Sequence, residues 1–341
     1  MANDSKGSEY RRMAKRRINY AVNWLRHHDG LKTMARGEIP PAPIMVDVDL
    51  CGACNLNCKW CCQAHWRFGK KSGQMLRHAV DSLPAFLARW GVKSVRLAGE
   101  GEPCMAPELS SFITSLCDLG IWCGLITNGT LLRRVDVQSL RRLSYLGISL
   151  DAGTAERWGA LKQAPKLWFG EIVNNVRWIR ESAPDLPVTI KFLRYNRTSL
   201  AANEYGGGPE HGAVENVNEE GVVSGLAETL GCDVRIKDAY PRNYPATYRF
   251  RRCRAAPIGG VFCSNLNFQL CCDRRGTFTL VDDFTDYNGL LTAWGGSKHR
   301  ELLASINPEE CLGCCKRDLN ETLENVLQDG PWTSEMQVEF V

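Results

Sequence analysis

The sequence predicts an α/β protein: a parallel sheet of six strands curled into a partial (β/α)6 barrel, followed by a small C-terminal region of β-hairpin and helix. Two observations carry that expectation. Apolar, β-prone runs alternate with segments of helical period through the first two thirds of the chain, which is the pattern of a parallel sheet with right-handed crossovers. The 16 cysteines are gathered rather than dispersed, with five between 51 and 62 and seven between 253 and 315. Such grouping points to metal ligation more than to a disulfide framework.

In order along the chain, the strands are expected at 44–50, 94–98, 122–126, 147–150, 188–193 and 233–236. Between them, Leu76, Val80, Leu83 and Leu87 recur at helical spacing in 74–90, as do Ile172, Val176 and Ile179 in 167–181. Pro84 falls inside the first helix and should kink or split it. A hairpin is expected from 259–263 and 268–273 around Ser264-Asn265, then a helix over 297–305. In such sheets ligands collect at the carboxyl ends of the strands. The expected organisation is a helical extension over 1–42, a core over 43–243 with a mobile loop at 201–222, and a C-terminal region over 244–341.

Composition narrows the function. With 341 residues and 44% hydrophobic content the chain can bury a large core. It has no apolar run of about 18 residues, and the first ten residues lack the apolar core of a signal peptide, so a cytoplasmic protein without a membrane span is expected. A net charge of +4 gives no broad basic surface and argues against a nucleic-acid partner. A basic helix over 10–28, with Arg11, Arg12, Lys15, Arg16 and Arg17 beside a stripe of Ile18, Val22 and Leu25, carries no assignable chemistry. Neither does the glycine-rich stretch Gly206-Gly207-Gly208.

The most specific motif is the run Cys-Gly-Ala-Cys-Asn-Leu-Asn-Cys-Lys-Trp-Cys-Cys over 51–62, in which Cys54, Cys58 and Cys61 have the spacing C-x3-C-x2-C. Three thiolates on one loop suit a four-iron cluster with one iron left open to a further ligand. A zinc knuckle is the alternative, but structural zinc favours paired C-x2-C hooks and four closed ligands.

The segment Val46-Asp47-Val48-Asp49-Leu50, followed by Cys54, Cys58, Trp60 and Cys61, resembles the radical S-adenosylmethionine (radical SAM) superfamily. That resemblance implies a [4Fe-4S] cluster on Cys54, Cys58 and Cys61, with SAM chelating the open iron and, after one-electron reduction, yielding a 5′-deoxyadenosyl radical that takes hydrogen from substrate. It also implies an electron donor such as flavodoxin or ferredoxin. Trp60 fills the aromatic place before the last cysteine. Ala98-Gly99-Glu100-Gly101-Glu102-Pro103 is similar to the family's Gly-Gly-Glu-Pro motif, so Gly99, Gly101 and Glu102 would hold the SAM amino group. Thr127-Asn128-Gly129-Thr130 and Ser149-Leu150-Asp151-Ala152-Gly153-Thr154 look like the motifs at the next two strand ends. Asn128 would shape the pocket, and Ser149 and Asp151 would meet the ribose or carboxylate. Lys191 would neutralise a carboxylate there, or face solvent.

The second cysteine group resembles the C-terminal extension called SPASM, or twitch in its shorter form, that carries auxiliary clusters. Only Cys315 follows the Cys311 and Cys314 pair, which favours the shorter form. One auxiliary [4Fe-4S] cluster on Cys253, Cys271, Cys311 and Cys314 is implied, with Cys263, Cys272 and Cys315 as competing thiols and a zinc ribbon as the alternative. The expected reaction is oxidation of a small molecule of sugar, cyclitol or nucleoside type with the auxiliary cluster as electron acceptor. A peptide maturase, or a redox-neutral epimerase or decarboxylase, is the alternative. Arg194, Tyr195, Asp273 and Arg274 are candidates for the proton acceptor by position alone.

Overall fold

A computed structural model describes residues 28–58, 61, 63, 73–194, 216–238, 250–311 and 314–327. Its elements follow the alternation of the sequence: α1 (His28–Ala35), β1 (Met45–Val48), α2 (Arg77–Trp90), β2 (Ser94–Leu97), α3 (Leu109–Asp118), β3 (Trp122–Thr127), α4 (Val137–Arg141), β4 (Tyr145–Ser149), α5 (Ala155–Lys162), α6 (Leu167–Ser182), β5 (Val188–Arg194), α7 (Glu220–Thr229) and β6 (Asp233–Asp238). Then come β7 (Gly259–Phe262), β8 (Phe268–Gln269), β9 (Thr279–Val281), α8 (Tyr287–Ala293), α9 (Ser297–Ser305) and α10 (Arg317–Leu327).

All nine strands join one sheet in the order β6-β5-β4-β3-β2-β1-β7-β8-β9. The first six pair in parallel, as the crossover helices require, and the sheet does not close. β7 lies parallel to β1, and β8 and β9 continue antiparallel from it. The expected hairpin is therefore an extension of the main sheet, and β9 is a third strand that the sequence reading did not anticipate.

Side-chain alternation gives the sheet two unlike faces. Val46, Val95, Leu97, Leu125, Ile148 and Ile190 share one face in register and are buried in a core with Leu83 and Phe86 of α2, Ile113 of α3 and Val176 of α6. The opposite face presents Asp47, Arg96, Tyr145, Ser149, Lys191, Arg235 and Lys237. Helices cover the apolar face, which leaves the polar one for ligands.

Pro84 does not split its helix: α2 runs unbroken over 14 residues. The ring is buried against the core, so its apolar contact offsets the one backbone bond it removes. The expected mobile loop at 201–222 is corrected at its end, because residues 217–219 form a helical turn that leads into α7. Residues 201–215, most of the basic helix over 10–28, Trp60 and Tyr195 lie outside the described residues. At the C-terminal end, Met34 of α1, Ile258 and Leu323 of α10 form a satellite core. No described helix is long and apolar enough to cross a membrane.

Candidate cluster and cofactor site

The loop that carries Cys54, Cys58 and Cys61 follows β1 and is clamped from three sides. First, the Glu102 N–H donates to the Ala53 carbonyl at 2.8 Å, and a side chain at Gly101 would put its Cβ 2.1 Å from that same oxygen. Only glycine lets the β2 end approach so closely. Second, the Asn128 side chain donates to Asn55 Oδ1 at 2.9 Å, while Asn55 Nδ2 donates to Thr130 Oγ1 at 2.8 Å. Third, the Asn57 N–H donates to the Lys162 carbonyl at 3.2 Å and its side chain to Gln163 at 2.8 Å. The ends of β2, β3 and α5 thus position the residues between the cysteines.

The three thiols sit within electrostatic reach of one another. Burial pushes Cys58 up to about 11; Cys61 and Cys54 add to the effect and Lys162 opposes it. Crowded thiols of this kind suit a group that brings positive charge and ionises them on binding. A [4Fe-4S] cluster fits this donor set, whereas a zinc ion would need a fourth ligand.

Glu102 is buried and held rigidly: it accepts from the Asn128 N–H at 2.8 Å, the Cys104 N–H at 3.0 Å and the Thr127 hydroxyl at 2.5 Å. Burial raises its carboxyl above the usual range and these three donors oppose the rise. Asp151 is committed elsewhere. It adopts φ 61° at the end of β4, accepts the Leu193 N–H at 2.8 Å and pairs with the buried ammonium of Lys162. Burial would lower Lys162, but Asp151 and then Cys58 hold it above its ordinary value. Sequence reasoning missed Lys162, which looks like any C-terminal helix lysine.

On the polar face, Lys191 pairs in register with Ser149, and its stem lies 3.0 Å from a Cβ built at Gly147. Burial, then the cations Arg96 and Arg235, lower Lys191 to about 8. Arg96 and Asp47 form a two-bond ion pair at 2.8 and 2.6 Å. Asp47 is lowered because Arg96 and Lys316 outweigh its burial.

Where β1, β2 and β7 end, Arg275 donates to Asp49 at 2.6 Å and to the Cys272 carbonyl at 2.5 Å, with Glu100 at 3.9 Å. The Ser264 hydroxyl donates to Glu100. Burial lifts Asp49 to about 8, against the pull of Arg275 and with Glu100 adding to it. Asp49 and Glu100 thus face the same guanidinium. The strict alternation Val46-Asp47-Val48-Asp49 was the available signal that both aspartates leave the apolar face.

In the second cysteine group, Cys253 adds to the burial that raises both Cys311 and Cys314, and burial, then Asp273, push Cys314 up to about 12. Asn320 of α10 joins the segments: its Oδ1 accepts the Arg254 and Ala255 N–H groups at 2.7 and 2.8 Å, and its Nδ2 donates to Cys314 Sγ at 3.8 Å. Cys271 lies among Cys272, Asp273 and Lys316, and Lys316 also reaches Cys253. Cys272 and Cys315 form a separate thiol contact at 3.3 Å.

Residues 48–193 match the Radical SAM superfamily. The chain is similar to the PqqA peptide cyclase of Methylobacterium nodulans, 27% identical over 215 residues, covering 61% of this chain and 49% of that protein. It is also similar to the AdoMet-dependent heme synthase of Oleidesulfovibrio alaskensis, 25% identical over 176 residues, covering 50% of this chain and 44% of that one. The chain therefore spans about half the length of these curated relatives. In fold it resembles Streptococcus suis SuiB bound to the precursor peptide SuiA, with a TM-score of 0.57 at 14% identity, over 91% of this chain and 78% of SuiB. The superfamily match starts at the last residue of β1, spans the cysteine loop and ends in β5, so residues 48–193 carry a radical SAM domain, a family whose enzymes use a [4Fe-4S] cluster and S-adenosylmethionine.

Proposed function

We propose that the protein is a peptide-modifying radical SAM enzyme. The similarity to PqqA peptide cyclase carries the choice of substrate, and the fold shared with SuiB supports it. The small-molecule oxidation expected from the short C-terminal extension yields to this reading. Cys54, Cys58 and Cys61 hold the SAM-binding cluster. Gly99, Gly101 and Glu102 receive the SAM amino group, Asn128 shapes the pocket, and Ser149 and Lys191 receive the ribose and carboxylate. Asp151 works one step back, fixing Lys162 beside the cluster loop. Cys253, Cys271, Cys311 and Cys314 would hold an auxiliary [4Fe-4S] cluster, which would supply an electron acceptor. The core over 43–243 and the C-terminal region over 244–341 divide these tasks, and a flavodoxin or ferredoxin supplies the first electron.

The cluster supplies the electron that cleaves SAM; the chain supplies position and charge. Three cysteines on one loop leave an iron for the cofactor. The polar face, with its Lys191 and Arg96 cations, lies below the same strand ends, where a peptide carbonyl or carboxylate finds donors. The test is anaerobic reconstitution with dithionite, SAM and short synthetic peptides presented alongside sugars and aminocyclitols. A peptide should stimulate 5′-deoxyadenosine release and emerge lighter by two hydrogens. Coupling of 5′-deoxyadenosine to a cyclitol and to no peptide would return the small-molecule reading.

A further inference from the structure

The contact between Cys272 and Cys315 belongs to neither proposed cluster. Each residue follows a proposed ligand directly, Cys271 or Cys314. The Cys272 and Cys315 thiols meet, with Sγ atoms 3.3 Å apart.

Both backbones are pinned. The Cys272 carbonyl accepts from Arg275 at 2.5 Å and from Gln63 Nε2 at 3.0 Å. The Cys315 N–H donates to Asp273 Oδ2 at 2.7 Å, and its carbonyl accepts from Lys237 Nζ of β6 at 2.7 Å. Cys272 is buried with Val261 and Cys263, whereas Cys315 is an exposed residue. Two cations, Lys316 and Arg96, lie close enough to interact with both sulfurs. Two thiols in contact, one buried and one on an exposed residue, stand close enough for a disulfide to close between them with little movement.

We propose that Cys272 and Cys315 form a redox-active dithiol, separate from the cluster ligands, that exchanges with low-molecular-weight disulfides. Cys315, on the more exposed residue of the pair, attacks one sulfur of a glutathione-type disulfide as its thiol proton leaves, forming a mixed disulfide and releasing one thiol. Cys272 then attacks Cys315 Sγ, closing the protein disulfide and releasing the second thiol. Two protein thiols lose two electrons and two protons, and one small disulfide gains both. Closure joins the segment before α10 to the loop after β8 and so stiffens the frame around the auxiliary centre.

The test uses full-length, cluster-loaded protein equilibrated anaerobically in glutathione buffers of increasing oxidation, then alkylated and peptide-mapped. A cross-link between Cys272 and Cys315 should appear, reverse with dithiothreitol and vanish in Cys272→Ser and Cys315→Ser, while both variants retain the wild-type iron content. Loss of about four irons from either variant would make that cysteine a cluster ligand and overturn the proposal. So would stoichiometric zinc that disappears in both variants, or thiols that stay free at every glutathione ratio. Should Cys272→Ser fail to fold, Cys315→Ser, at the exposed partner, reads both iron and cross-link.

Discussion

Cys54, Cys58 and Cys61 come from one short loop, whereas Cys253, Cys271, Cys311 and Cys314 come from segments before β7, after β8 and before α10. The loop needs neighbours only to shape it, and the ends of β2, β3 and α5 do so through Gly101, Asn128 and Lys162. The C-terminal set has to be assembled, and Asn320 does much of that by holding the 254–255 backbone and Cys314 together. The difference separates two ways of losing a cluster: by removing ligands from a preformed loop, or by letting distant segments drift apart.

The largest expected effect breaks the comparison at its first half. With Cys54, Cys58 and Cys61 all changed to Ala, 5′-deoxyadenosine release should stop and iron should fall from about eight to about four per chain. Cys311→Ala or Cys314→Ala should do the reverse, still cleaving SAM while losing the oxidised product. Iron analysis with cleavage assays decides both; a triple variant nearly free of iron would mean that the C-terminal group holds zinc.

The contrast also explains what was legible. A contiguous loop leaves its spacing in the sequence, and the motifs at the ends of β2, β3 and β4 stand one strand apart, so their neighbourhood at one edge of the sheet could be read directly. Contacts that depend on distant segments left weaker traces. Asp151 is in place but spends its carboxylate on Lys162 and the Leu193 N–H, and nothing local announces that Lys162 is buried. Arg275 reaches Asp49 across 226 positions of chain, and the hairpin's junction with β1 needed the sheet register to appear. The split expected at Pro84 is absent because helix propensity is judged without the core that receives the ring.

A second prediction sharpens the role of the clamps. Gly101→Ala places a methyl 2.1 Å from the Ala53 carbonyl, and overpacking of that kind costs ~1–3 kcal/mol. The backbone of the cluster loop must yield, so SAM affinity and the iron of the first cluster should fall while the second cluster's iron persists. Gly170→Ala, in α6 with nothing within 4 Å of the new Cβ, should leave both intact and stabilise the helix by about 0.8 kcal/mol. Equal behaviour of the two variants in iron content and SAM titration would show that close approach at Gly101 does not shape the loop.

The smallest effect concerns charge on the polar face. Burial and the neighbouring Arg96 and Arg235 bring Lys191 down to about 8, so its ammonium is fully present below that pH and lost above it. If Lys191 pairs with the SAM carboxylate, affinity should be highest below pH 8 and decline as pH rises through that value, with a bound anion moving the midpoint upward. A charge-assisted bond contributes about 1.5–3 kcal/mol, so roughly ten- to a hundredfold in dissociation constant is at stake. Lys191→Met should bind SAM with the weak, high-pH affinity at every pH, whereas Lys191→Arg should bind tightly and lose the pH dependence because its guanidinium stays charged. Equilibrium titration of SAM between pH 6.5 and 9.5, with cluster absorbance followed in parallel to confirm that iron is retained, separates these cases. A wild-type profile as flat as that of Lys191→Met would place this lysine on the substrate side of the polar face, away from the cofactor.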